Sequence, residues 1–197
     1  VTPTVSFTGG LISADSSSSI GDITGDFISN SVTAGTNAFF TGGLIGADSS
    51  SIGDITGDFI SNSVHAGFDG FHGGGLIGAM YSSSIGDITG DFISNSVDTG
   101  YEMYGGGLIG NYAFAYNSSY SSSIGDITGD FISNSITANK LYGGGLIGAY
   151  YSSSIGDITG DFISNSITVS YLENGGGLIG AGGSSSSTIG DITGDFI

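Results

Sequence analysis

Nine residues, Ile-Gly-Asp-Ile-Thr-Gly-Asp-Phe-Ile, occur six times without a change, at 20–28, 52–60, 85–93, 124–132, 155–163 and 189–197. Their starts lie 32, 33, 39, 31 and 34 residues apart. A period of 20–50 residues is the signature of a solenoid or array, whose units bury their apolar faces only against one another. The copy at 20–28 sits in a larger unit. Gly-Gly-Leu-Ile precedes it (residues 9–12, 42–45, 74–77, 106–109, 144–147 and 176–179) after a Ser-rich link, and Ser-Asn-Ser-Val/Ile follows (29–32, 61–64, 94–97, 133–136 and 164–167). Units therefore fall near 9–41, 42–72, 73–104, 105–142, 143–174 and 175–197.

The units read as strands. Two Gly-Asp pairs in nine residues would break a helix, and the apolar positions are mostly β-branched or aromatic. Ile28, Asn30 and Val32 alternate onto one face. Ile20 and Ile23 lie three apart, so a corner at Gly21-Asp22 is needed to bring both inside, and a second at Gly25-Asp26 does the same for Ile23 and Ile28. Glycine tolerates φ > 0 and aspartate bonds nearby backbone amides, which suits both to corners. The expected fold is all-β, a parallel β-solenoid, right-handed, of about six coils stacked about 4.8 Å apart. Asn30, Asn62, Asn95, Asn134 and Asn165 would then form an amide ladder inside it.

Charge narrows the function. The chain has 18 acids against a single cation, Lys140, for a net charge of −17, so nucleic acid, which is held by Lys and Arg, is excluded as a partner. Without cysteine there is no disulfide framework or thiolate zinc site. No apolar run reaches the ~20 residues of a membrane span, and no signal peptide is evident.

Twelve acids are the paired aspartates of the motif, Asp22/Asp26 through Asp191/Asp195. Neighbouring carboxylates one coil apart repel by about 1 kcal/mol in water. Ca2+ bridging adjacent coils is one answer, since hard cations prefer carboxylate oxygen; capping of corner amides by solvent-facing aspartates is the other. Paired carboxylates also suggest glycoside hydrolysis, but that chemistry needs one pair with divergent environments, and six identical pairs single out none. His65 and His72, with Asp69 between them, read as one solvated loop. The serine runs have no partner base. Gly-Gly-Gly-Leu-Ile-Gly lacks the Lys-Ser/Thr ending of a phosphate loop. No catalytic residue, cofactor-binding residue or metal ligand is assigned.

Two features point to interaction. The doublets Leu44-Ile45 and Phe59-Ile60 would put one member outward if the strand runs straight, making an apolar stripe for lateral association; a bend would turn both inward. Sequence variation gathers in the stretch after Ser-Asn-Ser-Val and in the insertion at 111–120. The candidate interaction loops carry Phe39, Phe40, Phe68, Phe71, Tyr101, Tyr104, Tyr112, Phe114 and Tyr116.

The succession Gly-Gly-x-Ile, the nine-residue motif, then Asn resembles repeats in the passenger regions of bacterial autotransporter and adhesin-like surface proteins. The resemblance implies a right-handed β-solenoid, export, and adhesion or surface-structural work at the cell surface or outside the cell. Taken together, the expectation is a non-enzymatic β-solenoid that associates with itself, head to tail, as a filament or stalk. A binding module that uses the aromatic loops for carbohydrate or a host protein is the first alternative, and ice binding by Thr/Ser ladders is the second.

Overall fold

The computed structural model describes residues 5–35, 38–67, 71–113, 120–183 and 186–197. All the regular structure in them is β-strand. The chain winds through five parallel sheets in a fixed order. In the first coil these are Ile12–Asp15, Ser19–Ile20, Ile23–Thr24, Phe27–Ile28 and Ser31–Ala34, followed by a return strand, Ala38–Gly42, that leads into the next coil. Three of the sheets are six strands deep and built from one strand per repeat. Six levels are separated by five turns, so the expected parallel β-solenoid is the observed fold.

Register is what the identical repeats enforce. Ile55 pairs with both Ile23 and Ile88, and Phe59 with both Phe27 and Phe92. A one-residue slip would exchange inward for outward residues along the whole strand. The phenylalanines measure the rise of the coil. Rings of Phe27, Phe59, Phe92, Phe131, Phe162 and Phe196 stack with centroids 4.7–4.9 Å apart and planes within 6° of parallel. At that spacing, near-parallel rings are offset, the favoured arrangement of a stacked pair.

The core consists of such ladders. Ile52, Ile55 and Phe59 of the second repeat are buried, and so are Ile85, Ile88 and Phe92 of the third. Each side chain so enclosed contributes roughly 1.5–3 kcal/mol. The glycine of the second corner takes the expected positive φ (139° at Gly25) and that of the first does not, yet the second corner does not bring Ile28 inside. Ile28 is 54% exposed, while Phe27 takes the inward place. Asn30 and Val32 face inward, as their counterparts Asn62 and Val64 show. The reason is Ser29, whose φ of 53° turns the chain and breaks the alternation between Ile28 and Asn30; Ser61, Ser94, Ser133 and Ser164 do the same. The doublets accordingly differ. Leu44 and Ile45 both turn inward, whereas in Phe59-Ile60 only the phenylalanine does.

The asparagines do form the interior ladder. Oδ1 of Asn95 accepts from the backbone N–H of Asn62 at 3.0 Å and from its Nδ2 at 2.9 Å. Nδ2 of Asn95 donates to the Phe59 carbonyl at 2.6 Å and to Oδ1 of Asn134 at 3.0 Å. Every amide hydrogen in the middle of the row is thus used, as burial requires.

The Gly-Gly-Leu-Ile-Gly stretch has a role that its composition alone does not reveal. Ile45 and Ala47 face the core, so Gly46 between them faces the other way. There the return strand that leads into the preceding coil lies backbone against backbone: a methyl on Gly46 would collide with the Thr8 carbonyl, on Val5–Gly9, and one on Gly110 with that of Gly73, on Phe71–Gly74. Glycine permits that approach because it has no Cβ.

Candidate functional site

The motif face is a wall of repeated rows. Each first aspartate but the last accepts a hydrogen bond from the backbone N–H of its counterpart one coil on: Asp54 to Asp22 at 3.1 Å, Asp87 to Asp54 at 2.9 Å and Asp126 to Asp87 at 2.9 Å. The second aspartates repeat the pattern, from Asp58 to Asp26 at 3.0 Å through Asp195 to Asp161 at 2.8 Å. The magnitudes explain why the row is stable. A hydrogen bond to a charged acceptor contributes about 1.5–3 kcal/mol, more than the roughly 1 kcal/mol of water-screened repulsion between neighbours. Of the two readings of the aspartates, the capping geometry is the one present. Among the described residues no group of three or more His, Cys, Asp or Glu side chains is arranged to hold a metal ion. Between the two aspartate rows runs a row of exposed threonines, from Thr24 to Thr193.

The variable stretches are not loops where they are described. Residues expected in loops lie on strands paired from coil to coil: Phe39 and Phe40 on Ala38–Gly42, Phe71 on Phe71–Gly74, Tyr101 and Tyr104 on Ser96–Gly106, and Tyr112 on Ile109–Tyr112. Parallel pairing supplies the reason, since an extended segment repeated once per coil has a neighbour for its backbone above and below. Phe68, Phe114 and Tyr116 lie outside the described residues, as does Asp69. His65 and His72 do not share a loop either. His65 is on the strand Ser63–Ala66 and its Nδ1 lies 3.0 Å from Asp98 Oδ2 on the next coil, both half exposed. His72 is on another strand, its ring edge-on to Tyr104 at 5.3 Å.

The strands Ile77–Met80, Ile109–Tyr112 and Ile147–Tyr150, with the return strands Ser96–Gly106 and Ser135–Gly144, build a second, smaller core, separate from the main one. Met80, Tyr112 and Tyr150 occupy one position on successive coils and are almost fully buried, with Tyr81, Tyr104, Tyr142 and Tyr151 packed around them. The rings of Tyr104 and Tyr142 stack at 4.6 Å, and Tyr104 stands 5.3 Å from Tyr112. The only cation of the chain is here: Lys140 Nζ donates to Glu102 Oε1 at 3.1 Å, and the Tyr104 hydroxyl donates to Glu102 Oε2 at 2.5 Å. Burial, and next the Glu102 carboxylate, raises the Tyr104 phenol above its usual range. Burial likewise raises Tyr112, and pushes Tyr150 up to about 12. Lys140 is held above its ordinary value by its hydrogen bond to Glu102. One and two coils before Met80 the same wall position holds Asp48 and Asp15; burial, with Asp15 beside it, pushes the Asp48 carboxyl up.

Asn111 went unsingled in the sequence. It stands where other coils have Ala47, Ala79 and Ala149, is fully buried, and donates from Nδ2 to the Ser154 carbonyl at 2.8 Å while Ser122 donates to its Oδ1. It is thus a polar anchor for the coil that carries the insertion. The available signal was an Asn in a row of alanines at the first residue of the insertion. Tyr81 and Tyr151 are a further pair, both at positive φ (58° and 52°) on the turn after the wall strand.

Comparison of the chain with protein-family models, with curated proteins and with solved structures finds no match.

Proposed function

We propose that this chain is a non-enzymatic structural protein of the cell surface or extracellular space, a β-solenoid that associates head to tail as a filament or stalk. The observation that carries the proposal is the congruence of the coils. Each coil meets the next through the same atoms: Asp N–H to Asp Oδ1, Asn N–H and Nδ2 to Asn Oδ1, Phe ring on Phe ring. A coil of a second copy laid on the first in the same sense would repeat those contacts, and parallel pairing sets that sense. Head-to-tail contacts of this kind do not close on themselves and give linear assemblies. Repetition also argues against catalysis, because the four inner carboxylate pairs of the wall, from Asp54/Asp58 to Asp157/Asp161, share the same surroundings. Sedimentation velocity over a hundredfold concentration range tests the proposal. A weight-average size that climbs with concentration supports it; single short rods throughout would refute the assembly.

A second reading, a binding module, is favoured by the contrast between wall and return strands. The wall is the same in every coil, whereas exposed Tyr101 and Tyr171 and the Lys140–Glu102 pair occur once each along the return strands. Ice binding has less support, since the exposed threonine row is bordered on both sides by aspartates. Grafting the return strands of one coil onto the others would separate the readings: loss of adhesion with assembly intact supports a binding role.

A further inference from the structure

Two tyrosines meet beside the insertion of the fourth coil. Tyr81 sits on the turn after the strand Ile77–Met80, at a φ of 58°, and its ring packs on the edge of the smaller core. Tyr120 is the last residue of the insertion and is 47% exposed. Their ring centroids are 5.5 Å apart and their planes 61° apart, an edge contact. Backbone bonds on both sides of the insertion hold this meeting in place. The Tyr81 N–H donates to the Tyr112 carbonyl at 2.9 Å, and the Ser123 N–H to the Ser83 carbonyl at 3.0 Å. Two other tyrosine pairs are closer but less apt. Tyr104 and Tyr142 stack face to face with planes 4° apart, and the Tyr104 hydroxyl is tied to Glu102. Tyr150, 4.4 Å from Tyr151, is almost fully buried, out of reach of an enzyme in solution.

We propose that Tyr81 and Tyr120 are a modification site, at which a peroxidase using hydrogen peroxide joins the two side chains as dityrosine. Each phenol gives up one electron and its hydroxyl proton. The two radicals form a carbon–carbon bond between ring positions ortho to the oxygens. The hydrogen on each joined carbon then moves, as a proton, to the oxygen and restores both phenols. Two hydrogens leave in all, and they reduce one hydrogen peroxide to two waters. A biaryl bond joins ring edges at a twist, so rings that already meet edge-on need only close up, whereas stacked rings must first turn out of their stack. Tyr120 admits the oxidant, and Tyr81 is held beside it. The link joins residues 39 apart in a chain without cysteine, and ties the coil that carries the insertion to the one before it.

Treatment of the dilute whole chain with a haem peroxidase and hydrogen peroxide provides the test, read by dityrosine fluorescence and by mass spectrometry after cleavage before aspartate. The expected product is a monomer lighter by two hydrogens, with the peptide of Tyr81 joined to that of Tyr120. Its melting temperature should rise by roughly 4–16 °C, the shift expected of a covalent link that closes a loop of this length. Tyr81→Phe and Tyr120→Phe should each lower the fluorescence at least tenfold, with circular dichroism unchanged, and Tyr171→Phe should leave it as it is. Fluorescence that survives Tyr120→Phe overturns the proposal. So does a link confined to the peptide of Tyr142, Tyr150 and Tyr151, or one that forms only between two copies. No dityrosine from a mixture that couples free tyrosine overturns it too.

Discussion

Truncating Asn95 to alanine probes the interior ladder at its most enclosed point. Asn95 is fully buried and its amide makes four hydrogen bonds. In Asn95→Ala the backbone N–H of Asn62 has no acceptor and no water, at a cost of about 1–3 kcal/mol. The Phe59 carbonyl, the Asn62 Nδ2 and the Asn134 Oδ1 each lose a bond worth about 1 kcal/mol net. The expected loss is therefore about 4–6 kcal/mol, or roughly 8–24 °C in melting temperature for a chain of this size. Asn30→Ala is the internal control. Asn30 donates from N and Nδ2 to Asn62 Oδ1, and only the second bond disappears on truncation, so about 1 kcal/mol is expected. Urea titration followed by circular dichroism measures both. Asn95→Asp, of the same shape, keeps the acceptor but replaces the donor with a buried carboxylate, and should be more stable at acid pH than at neutral pH. Equal losses for Asn95→Ala and Asn30→Ala would refute the reasoning, because burial and bond count would then not decide the cost.

Three further outcomes follow from the geometry. Gly110→Ala places a methyl against the Gly73 carbonyl and should cost several kcal/mol, whereas Gly21→Ala, which has open space around its Cα, should change stability by less than about 1 kcal/mol; parallel denaturant titrations compare them. Ser94→Asn, at a φ of 54° with an exposed side chain, should stabilise by about 0.5 kcal/mol because asparagine tolerates the left-handed region better than serine. Burial holds the Tyr150 phenol at about 12 against an ordinary 10. The neutral phenol favours the folded state, so its contribution is full below pH 10 and is lost as pH rises through 12; tyrosinate absorbance at 295 nm should lag free tyrosine and then rise together with loss of the β-sheet signal.

Much of the wall was legible because the repeat imposes one solution on every coil. The Gly-Asp corners, the asparagine ladder, the coil rise and the parallel stacking all follow from identical residues that must superimpose. The exceptions share one cause, a local backbone state that composition does not disclose. Alternation read through Ile28-Ser29-Asn30 fails because Ser29, an ordinary residue in that region only at some cost, takes positive φ. Length variation suggested loops, yet Ser96–Gly106 and Ser135–Gly144 are long paired strands, since stacking supplies partners to any extended segment that recurs. The tyrosine core escaped notice for a different reason. Tyr104, Tyr112 and Tyr150 come from separate strands, and only the turn between return strand and wall brings them together.

Head-to-tail stacking of congruent coils is tested most directly by electron cryomicroscopy of the concentrated protein, with the power spectrum taken along the rods. Rods much longer than one chain, with a layer line near 4.8 Å that continues in phase across the junctions between copies, are predicted. Rods of one chain length, or longer ones whose 4.8 Å order breaks at each junction, would contradict it.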